Sequence, residues 1–150
     1  MTFKEINYLR LDEYIESAWV DDEELESYYD PNLEKRSLRE MVFDTSKKIK
    51  QHYYYNDKLQ IFGIDENFKP CGFVVFCSLK NMLYSFGINK QMRTAENLNY
   101  LFNFFVKKMN GNFYTLLYDK NERAVNWLKK CGMIHIKGLE PVEGVVYLSY

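Results

Sequence analysis

Residues 121–133 read Asn-Glu-Arg-Ala-Val-Asn-Trp-Leu-Lys-Lys-Cys-Gly-Met, which is the pattern of a short capped helix. Asn121 is a favoured N-cap, because its side-chain oxygen can accept a hydrogen bond from the first turn. Gly132 is a favoured stop, because glycine readily adopts the left-handed conformation that follows many helices. The apolar residues between them recur at helical spacing, at Ala124, Val125, Leu128 and Cys131. We therefore predict a helix here with one face toward a core.

The segments before this helix alternate between strand and helix patterns. Residues 113–118 are typical of a strand, and residues 96–110 of a helix that is stopped by Gly111. Further upstream, short turns separate three strand patterns, over residues 59–64, 72–77 and 82–88. This part of the chain therefore predicts a three-strand meander, then a helix, then a strand.

The two ends of the chain complete the order of elements. We predict a first strand over residues 3–9, a helix capped by Asp12, a second helix after Pro31, and closing strands over residues 133–136 and 145–150. The strand-helix-strand step over residues 82–118 requires a parallel pair with a crossover helix. The sequence therefore predicts an α/β (α+β) fold with a mixed central sheet of about six to seven strands and helices on both faces.

Composition bounds the size and class of the protein. With 150 residues, 47% hydrophobic and 27% charged, the chain suits one globular domain over residues 1–150. A net charge of −1 argues against a dedicated nucleic-acid binder, whose affinity comes largely from a basic surface. The charge is uneven, because residues 1–34 carry 11 acidic and 2 basic side chains. Three interpretations fit this acidic third: a substrate-facing cap, a partner surface, or charge matching within the fold.

The cysteines and the lengths of the apolar runs indicate in which cellular compartment we expect the protein. Three cysteines without any Cys-x-x-Cys spacing favour neither a disulfide framework nor a zinc site, so we expect no metal and a reducing compartment. No run approaches the roughly 18 apolar residues that span a bilayer, and the N-terminus has charges where a signal peptide is apolar. We therefore expect no membrane association and a cytoplasmic location.

The order of elements, together with Asn121, Ala124, Trp127 and the Gly132-Met133 pair, resembles the GCN5-related N-acetyltransferase (GNAT) superfamily. The resemblance implies the GNAT fold, acetyl-CoA as the acyl donor, and a small amine or a protein amine as the acceptor. More narrowly, the end of the strand at Phe86-Gly87-Ile88 and the run from Asn121 look like small GNAT-like proteins of podovirus-type tailed phages. Some of those are internal virion or assembly proteins, which implies other virion proteins as partners and a phage particle as the location.

The resemblance also implies a set of cofactor-binding residues. GNAT enzymes cradle the pyrophosphate on a glycine-rich loop at a helix N-terminus. The matching segment here, residues 89–95, places Gln91 suitably but has Arg93 and Thr94 where glycine is expected, and it contains no glycine. A side chain blocks the close approach of backbone to ligand, so the loop is degenerate. Lys90 and Arg93 could still attract phosphate as point charges, although solvated bases are commoner.

The pantetheine arm would lie along Phe86, Gly87 and Ile88 and contact the helix that begins at Asn121 and Ala124. Two interpretations fit Gly87: a bulge that exposes a backbone N–H, or tight packing under an aromatic ring. Asn121 is explained equally well as a helix cap alone.

The groups that would handle protons are the least complete part of the pattern. Many family members place a tyrosine general acid seven residues after the motif asparagine, and this chain has Leu128 there. Tyr118, at the end of a strand, and Tyr84, on the neighbouring strand, are the candidate substitutes. Neither His52 nor His135 has a carboxylate at a sequence spacing that would indicate a catalytic partner, so structural roles are favoured for both.

Two functional hypotheses follow from these residues. The first is a divergent N-acetyltransferase homologue with a degenerate pyrophosphate loop and weak or absent acetyl transfer to an amine. The second is a non-catalytic phage-encoded virion, assembly or host-interaction protein that keeps the GNAT fold.

Overall fold

The computed structural model describes residues 1–22, 37–54 and 58–150. The described residues form a seven-stranded sheet in the order β1-β2-β3-β4-β5-β7-β6, with four α-helices. In chain order the elements are β1 (Thr2–Glu5), α1 (Leu11–Trp19), α2 (Leu38–Tyr54), β2 (Leu59–Glu66), β3 (Lys69–Cys77), β4 (Met82–Ile88), α3 (Ala95–Lys108), β5 (Tyr114–Tyr118), α4 (Glu122–Lys130), β6 (Ile134–His135) and β7 (Val145–Ser149).

The strand pairing confirms the predicted mixed sheet. Strands β1 to β4 form an antiparallel meander, and β4 pairs with β5 in parallel across the crossover helix α3. Strand β7 returns between β5 and β6 and pairs antiparallel with both. The sheet is therefore antiparallel except at one junction, between β4 and β5.

Helices cover both faces of the sheet, as predicted. Phe73 and Val75 of β3 face α1 and α2, whereas Val74 and Phe76 face the opposite core. The first core contains Tyr14, Ile15 and Ile49, and the second contains Leu101, Phe105 and Leu128, all of them fully buried. Each such side chain contributes about 1.5–3 kcal/mol through its removal from water, so the period-two alternation of β3 holds both layers to the sheet.

The N-terminal segment differs from the prediction. The first strand ends at Glu5 rather than at residue 9, because the Asn7 side chain accepts from Leu9 N–H at 2.9 Å and starts a 3-10 turn. Asp12 does not cap α1, whose N-cap is Arg10. The Asp12 carboxylate instead accepts from Ser46 and Lys50 and so connects α1 to α2.

Helix α2 begins at Leu38. Pro31, which the sequence predicts to precede this helix, and the acidic residues between 23 and 34 lie outside the described residues.

No helix in residues 1–22, 37–54 or 58–150 is long and apolar enough to cross a membrane.

Gly63 in β2 is required by the ring of Tyr14, which lies directly over it. Any side chain at position 63 would overlap the ring, and Tyr14 cannot move easily because its hydroxyl donates to Asp65 Oδ1 at 3.0 Å. We expect Gly63→Ala to lower the free energy of unfolding by about 1–3 kcal/mol, as overpacked core positions do. Urea denaturation measures this change. The control is Gln60→Ala at an exposed position of the same strand, and equal stability of the two variants would contradict the packing described.

Candidate functional site

Strands β4 and β5 pair at their beginnings and then separate. Only Met82 with Tyr114 and Leu83 with Thr115 are paired, and the Thr115 hydroxyl donates to the carbonyl oxygen of Leu83 at 2.8 Å. Just beyond this junction β4 contains a bulge: Phe76 of β3 lies opposite Leu83 and Val75 opposite Ser85, which leaves Tyr84 as the extra residue. A bulge bends the strand that carries it, so β4 leaves β5 at this point.

The separation opens a cleft of about 550 Å³. Its walls are Tyr84 to Ile88 of β4 and Thr115 to Tyr118 of β5. The ring of Phe86 does not fill the gap, because it packs against Phe105 and Trp127, with centroid distances of 5.4 and 6.0 Å. The remaining lining comes from helices, loops and the start of β7 around the cleft and includes Trp19, Asp22, Thr45, Lys48, Ile49, Arg93, Leu98, Asn121, Arg123, Ala124, Trp127, Pro141 and Val145.

Gly87 lies on the β4 wall without being the bulge. It pairs in register with Phe73, and a Cβ there would lie 2.9 Å from Cε1 of Phe73 and 3.1 Å from Nε1 of Trp19. Tight packing under aromatic rings therefore accounts for this glycine. The other interpretation, a bulge at Gly87, is wrong by three residues, because the extra residue of β4 is Tyr84.

The loop between β4 and α3 is held by its own side chains. Asn89 accepts from Gln91 N–H at 3.0 Å through Oδ1, and its Nδ2 donates to the Ser17 carbonyl of α1 at 2.9 Å. Thr94 is the N-cap of α3 and accepts from Asn97 N–H at 3.2 Å. Gln91 and Thr94 are both exposed, and neither lines the cleft.

Arg93 is turned back against the protein. Its Nε donates to the Ile88 carbonyl at 3.1 Å, and its Nη2 lies 2.6 Å from Oδ2 of Asp22. Arg123, in the first turn of α4, places Nη2 at 3.4 Å from the same oxygen. One buried carboxylate thus contacts guanidinium groups from both sides of the cleft.

The first turn of α4 forms the remaining wall. Asn121 accepts from Ala124 N–H at 3.3 Å through Oδ1, so it caps the helix, and both residues line the cleft. Leu128, one turn further, is fully buried among the apolar residues beneath.

The two candidate tyrosines both line the cleft. Tyr84 is the bulge residue, and its ring meets the His52 ring edge-on at 5.1 Å. Tyr118 ends β5 and is 42% exposed. The hydroxyl groups therefore belong to opposite walls of the cleft.

This architecture is shared with solved acetyltransferase structures. The PaiA N-acetyltransferase of Thermoplasma acidophilum, solved with coenzyme A, aligns over 99% of this chain and 98% of its own at a TM-score of 0.70 and 12% identity. The GNAT domain of PAT from S. lividans aligns over 99% of this chain and 88% of its own, at a TM-score of 0.67 and 10% identity. The microcin C7 self-immunity acetyltransferase MccE, solved with acetyl-CoA and AMP, aligns over 99% of this chain and 91% of its own, at a TM-score of 0.62 and 11% identity. The chain has the GNAT fold. Neither a protein-family model nor a curated protein sequence matches it.

Several lining residues of this GNAT fold had no sequence signal. Asp22 is 71 residues from Arg93 and 101 from Arg123, so no spacing rule relates them. Trp19 lies on α1 and Lys48 on α2, both far in sequence from the strands that form the cleft. These residues are found only when the helices are placed on the sheet.

His135 has the structural role that the sequence favours, and its carboxylate partner is Glu140, five residues further along the chain. Its Nε2 lies 2.9 Å from Oε1 of Glu140, while Gly138 N–H donates to Oε2 at 2.7 Å. These contacts organise the segment between β6 and β7, whose Pro141 lines the cleft. In the parts of the chain described by the structure, no group of three His, Cys, Asp or Glu side chains is placed to hold a metal ion.

The segment between β6 and β7 should respond to acid. Hydrogen bonds from its own backbone N–H, from His135 and from Gly138 lower the pKa of Glu140 below its ordinary value of 4.5. A carboxylate whose folded pKa is depressed stabilises the fold above its unfolded pKa and loses that contribution as the pH falls through the folded pKa. We therefore expect the Tm difference between the wild type and Glu140→Gln to shrink as the pH falls from about 6 to about 3.

Calorimetry over this pH range checks the expectation. The control is Glu143→Gln, the same charge change at an exposed site of the same segment. A constant Tm difference for Glu140→Gln, or an equal pH dependence in both variants, would contradict the assigned contacts.

Proposed function

We propose that the protein binds an acyl-coenzyme A in the cleft between β4 and β5 and transfers its acetyl group slowly to an amine, either a small molecule or a protein amine. The observation that carries the proposal is the separation of β4 and β5 after two residue pairs, with the bulge at Tyr84. Support comes from the solved GNAT structures, since one of those cited contains coenzyme A and another acetyl-CoA.

The cleft suits the pantetheine arm. It has unpaired strand edges on both sides, which present backbone N–H and carbonyl groups to an amide-containing chain. Phe86, Gly87 and Ile88 would hold the arm from β4, and Asn121 and Ala124 from the start of α4. When bound, acetyl-CoA supplies the thioester carbonyl that the acceptor amine attacks.

The pyrophosphate end of the site fits less well. Gln91 and Thr94 lie outside the cleft, and Arg93 is paired with Asp22. The first turn of α3 also contains Glu96, whose negative charge opposes an anion at a helix N-terminus. The protein should therefore bind the phosphate-bearing part of the ligand weakly.

The proton that the leaving thiolate needs would come from a tyrosine hydroxyl. Tyr118 is the first candidate, because it ends β5, lines the cleft and is 42% exposed. Tyr84 is the second, from the opposite wall. The amine proton would pass to solvent, because Tyr118, which lines the cleft, is itself exposed to solvent.

Ala124 provides the direct test of binding in the cleft. A large side chain there should fill the space between α4 and β4, so we expect Ala124→Trp to weaken coenzyme A binding at least about tenfold, as loss of a largely pre-formed pocket would. Calorimetric titration measures the affinity. Asn126→Trp adds the same ring to an exposed position of the same helix and should leave the affinity unchanged.

Two results of that titration would oppose the proposal. Undetectable binding of coenzyme A to the wild type at millimolar ligand would remove it. Equal affinities of Ala124→Trp and the wild type, with both proteins folded, would place the ligand elsewhere on the molecule.

Tyr118 provides the test of catalysis. We expect Tyr118→Phe to lower kcat for acetyl transfer at least about tenfold, because a positioned general acid usually contributes more than that. The coenzyme A affinity should stay unchanged, and Tyr100→Phe, an exposed tyrosine of α3, is the control. A loss in Tyr84→Phe alone would assign the proton to Tyr84 instead, and equal rates in all three variants would exclude both tyrosines.

A second candidate function is a non-catalytic protein that keeps the GNAT fold, in a phage particle with other virion proteins as partners or in the cytoplasm. Two observations favour it: Leu128 is fully buried where the GNAT resemblance implies a tyrosine, and Arg93 is paired with Asp22. Acetyl transfer to any amine that depends on the cleft would count against this candidate. Co-purification with particles, without such transfer, would support it.

A further inference from the structure

Asp22 is held in a tight turn at the end of α1. Its N–H donates to the Trp19 carbonyl at 3.2 Å, and the preceding Asp21 adopts a left-handed conformation with φ 62°. Asp and Asn tolerate this conformation better than most other residues, although it is still less favourable than the right-handed one. The turn directs the Asp22 side chain inward, where only 1% of it is exposed.

The Asp22 carboxylate lies between two arginines from separate walls of the cleft. Arg93 follows β4 and lies 2.6 Å from Oδ2, and Arg123 follows β5 and lies 3.4 Å from the same atom. Two guanidinium groups around one oxygen anion are the arrangement that binds phosphate strongly, because each offers a planar fork of donors. Here the anion is part of the protein.

The pairing is incomplete. Within the described residues, Oδ1 of Asp22 and Nη1 of Arg93 are buried without a hydrogen-bond partner. A carboxylate and a guanidinium can pair through two parallel hydrogen bonds, so a single bond leaves one donor and one acceptor unsatisfied. Buried groups of this kind are costly, which means that Asp22 does not satisfy Arg93 as well as a larger anion would.

We propose that Asp22 is a built-in competitor of phosphate: it occupies Arg93 and Arg123 until the phosphate groups of a bound ligand displace it. The inference rests on the proposed function, because the phosphates meant are those of an acyl-coenzyme A in the cleft. A site of this kind differs from a loop that has simply lost its ability to bind phosphate. The two arginines remain able to bind an anion, and the protein itself sets how readily they do so.

The contacts around the turn allow the exchange. Asn89 connects the loop to the Ser17 carbonyl independently of Asp22, so Arg93 stays near the cleft when the carboxylate leaves. A diphosphate brings more charge and more acceptor oxygens than one carboxylate, and it can reach both guanidinium groups. Release of the turn would also let Asp21 leave its left-handed conformation.

The test compares two probes on variants with the same charge change. Asp22→Asn removes the competing charge, and Asp21→Asn removes a charge one residue away at an exposed site that asparagine suits. We expect Asp22→Asn to bind inorganic pyrophosphate and coenzyme A about tenfold more tightly, in the range of typical coupling between competing states. Its affinity for pantetheine, which has no phosphate, should change by less than about twofold, and Asp21→Asn should match the wild type.

Arg93→Gln in the Asp22→Asn background should remove the gain. Unchanged pyrophosphate affinity in Asp22→Asn would overturn the inference, while pantetheine binding would leave the proposed function standing. Failure of pantetheine and coenzyme A to bind any variant would overturn the proposed function and, with it, the inference.

A measurement on the wild-type protein tests the displacement of Asp22 without depending on whether a variant folds. In carboxyl ¹³C NMR, pyrophosphate at saturation should shift the Asp22 signal, because the carboxylate leaves two guanidinium groups, and should leave the Asp21 signal in place. An unmoved Asp22 signal would show that the anion does not displace it and would overturn the inference.

Discussion

The junction between β4 and β5 is the constraint on which the site depends. Two residue pairs and the Thr115 hydroxyl hold the strands together at Leu83, and the extra residue Tyr84 then turns β4 away. The strands cannot close again, because each is fixed by its own neighbours: β4 pairs with β3 over most of its length, and β5 pairs with β7 through five residues. The cleft is thus built into the sheet and does not need a ligand to open it.

The sequence predicts the parts of this fold that depend on local patterns. The apolar spacing of residues 96–110 and the Asn121 cap reappear in α3 and α4, because burial and capping act within a few turns. The bulge at Tyr84 was missed, since a bulge is a property of two paired strands and has no signature in one. The cap predicted for Asp12 is wrong for a related reason. Its carboxylate accepts hydrogen bonds from Lys50 and Ser46, on a helix that begins far along the chain, and no local pattern indicates these contacts.

The residues that the GNAT resemblance implies for the cofactor site fall into two groups, those that line the cleft and those that lie outside it. Phe86, Gly87, Ile88, Asn121 and Ala124, which the GNAT resemblance implies at a strand end and a helix start, line the cleft. Gln91 and Thr94 were placed by analogy with a loop whose glycines this chain lacks, and they lie outside it. Without glycine the backbone cannot curl around an anion, so Asn89 and Thr94 satisfy the amides of the loop instead.

The abundance of aromatic residues has a structural explanation that bears on catalysis. Phe76, Phe86, Phe102, Phe105, Phe113 and Trp127 form a continuous network of ring contacts under α3 and α4. Leu128 is buried among these side chains, so a tyrosine at that position would have to bring a hydroxyl into an apolar core or disturb its packing. Among the described tyrosines, those that line the cleft are Tyr84 and Tyr118, and both lie on the strands that form its walls.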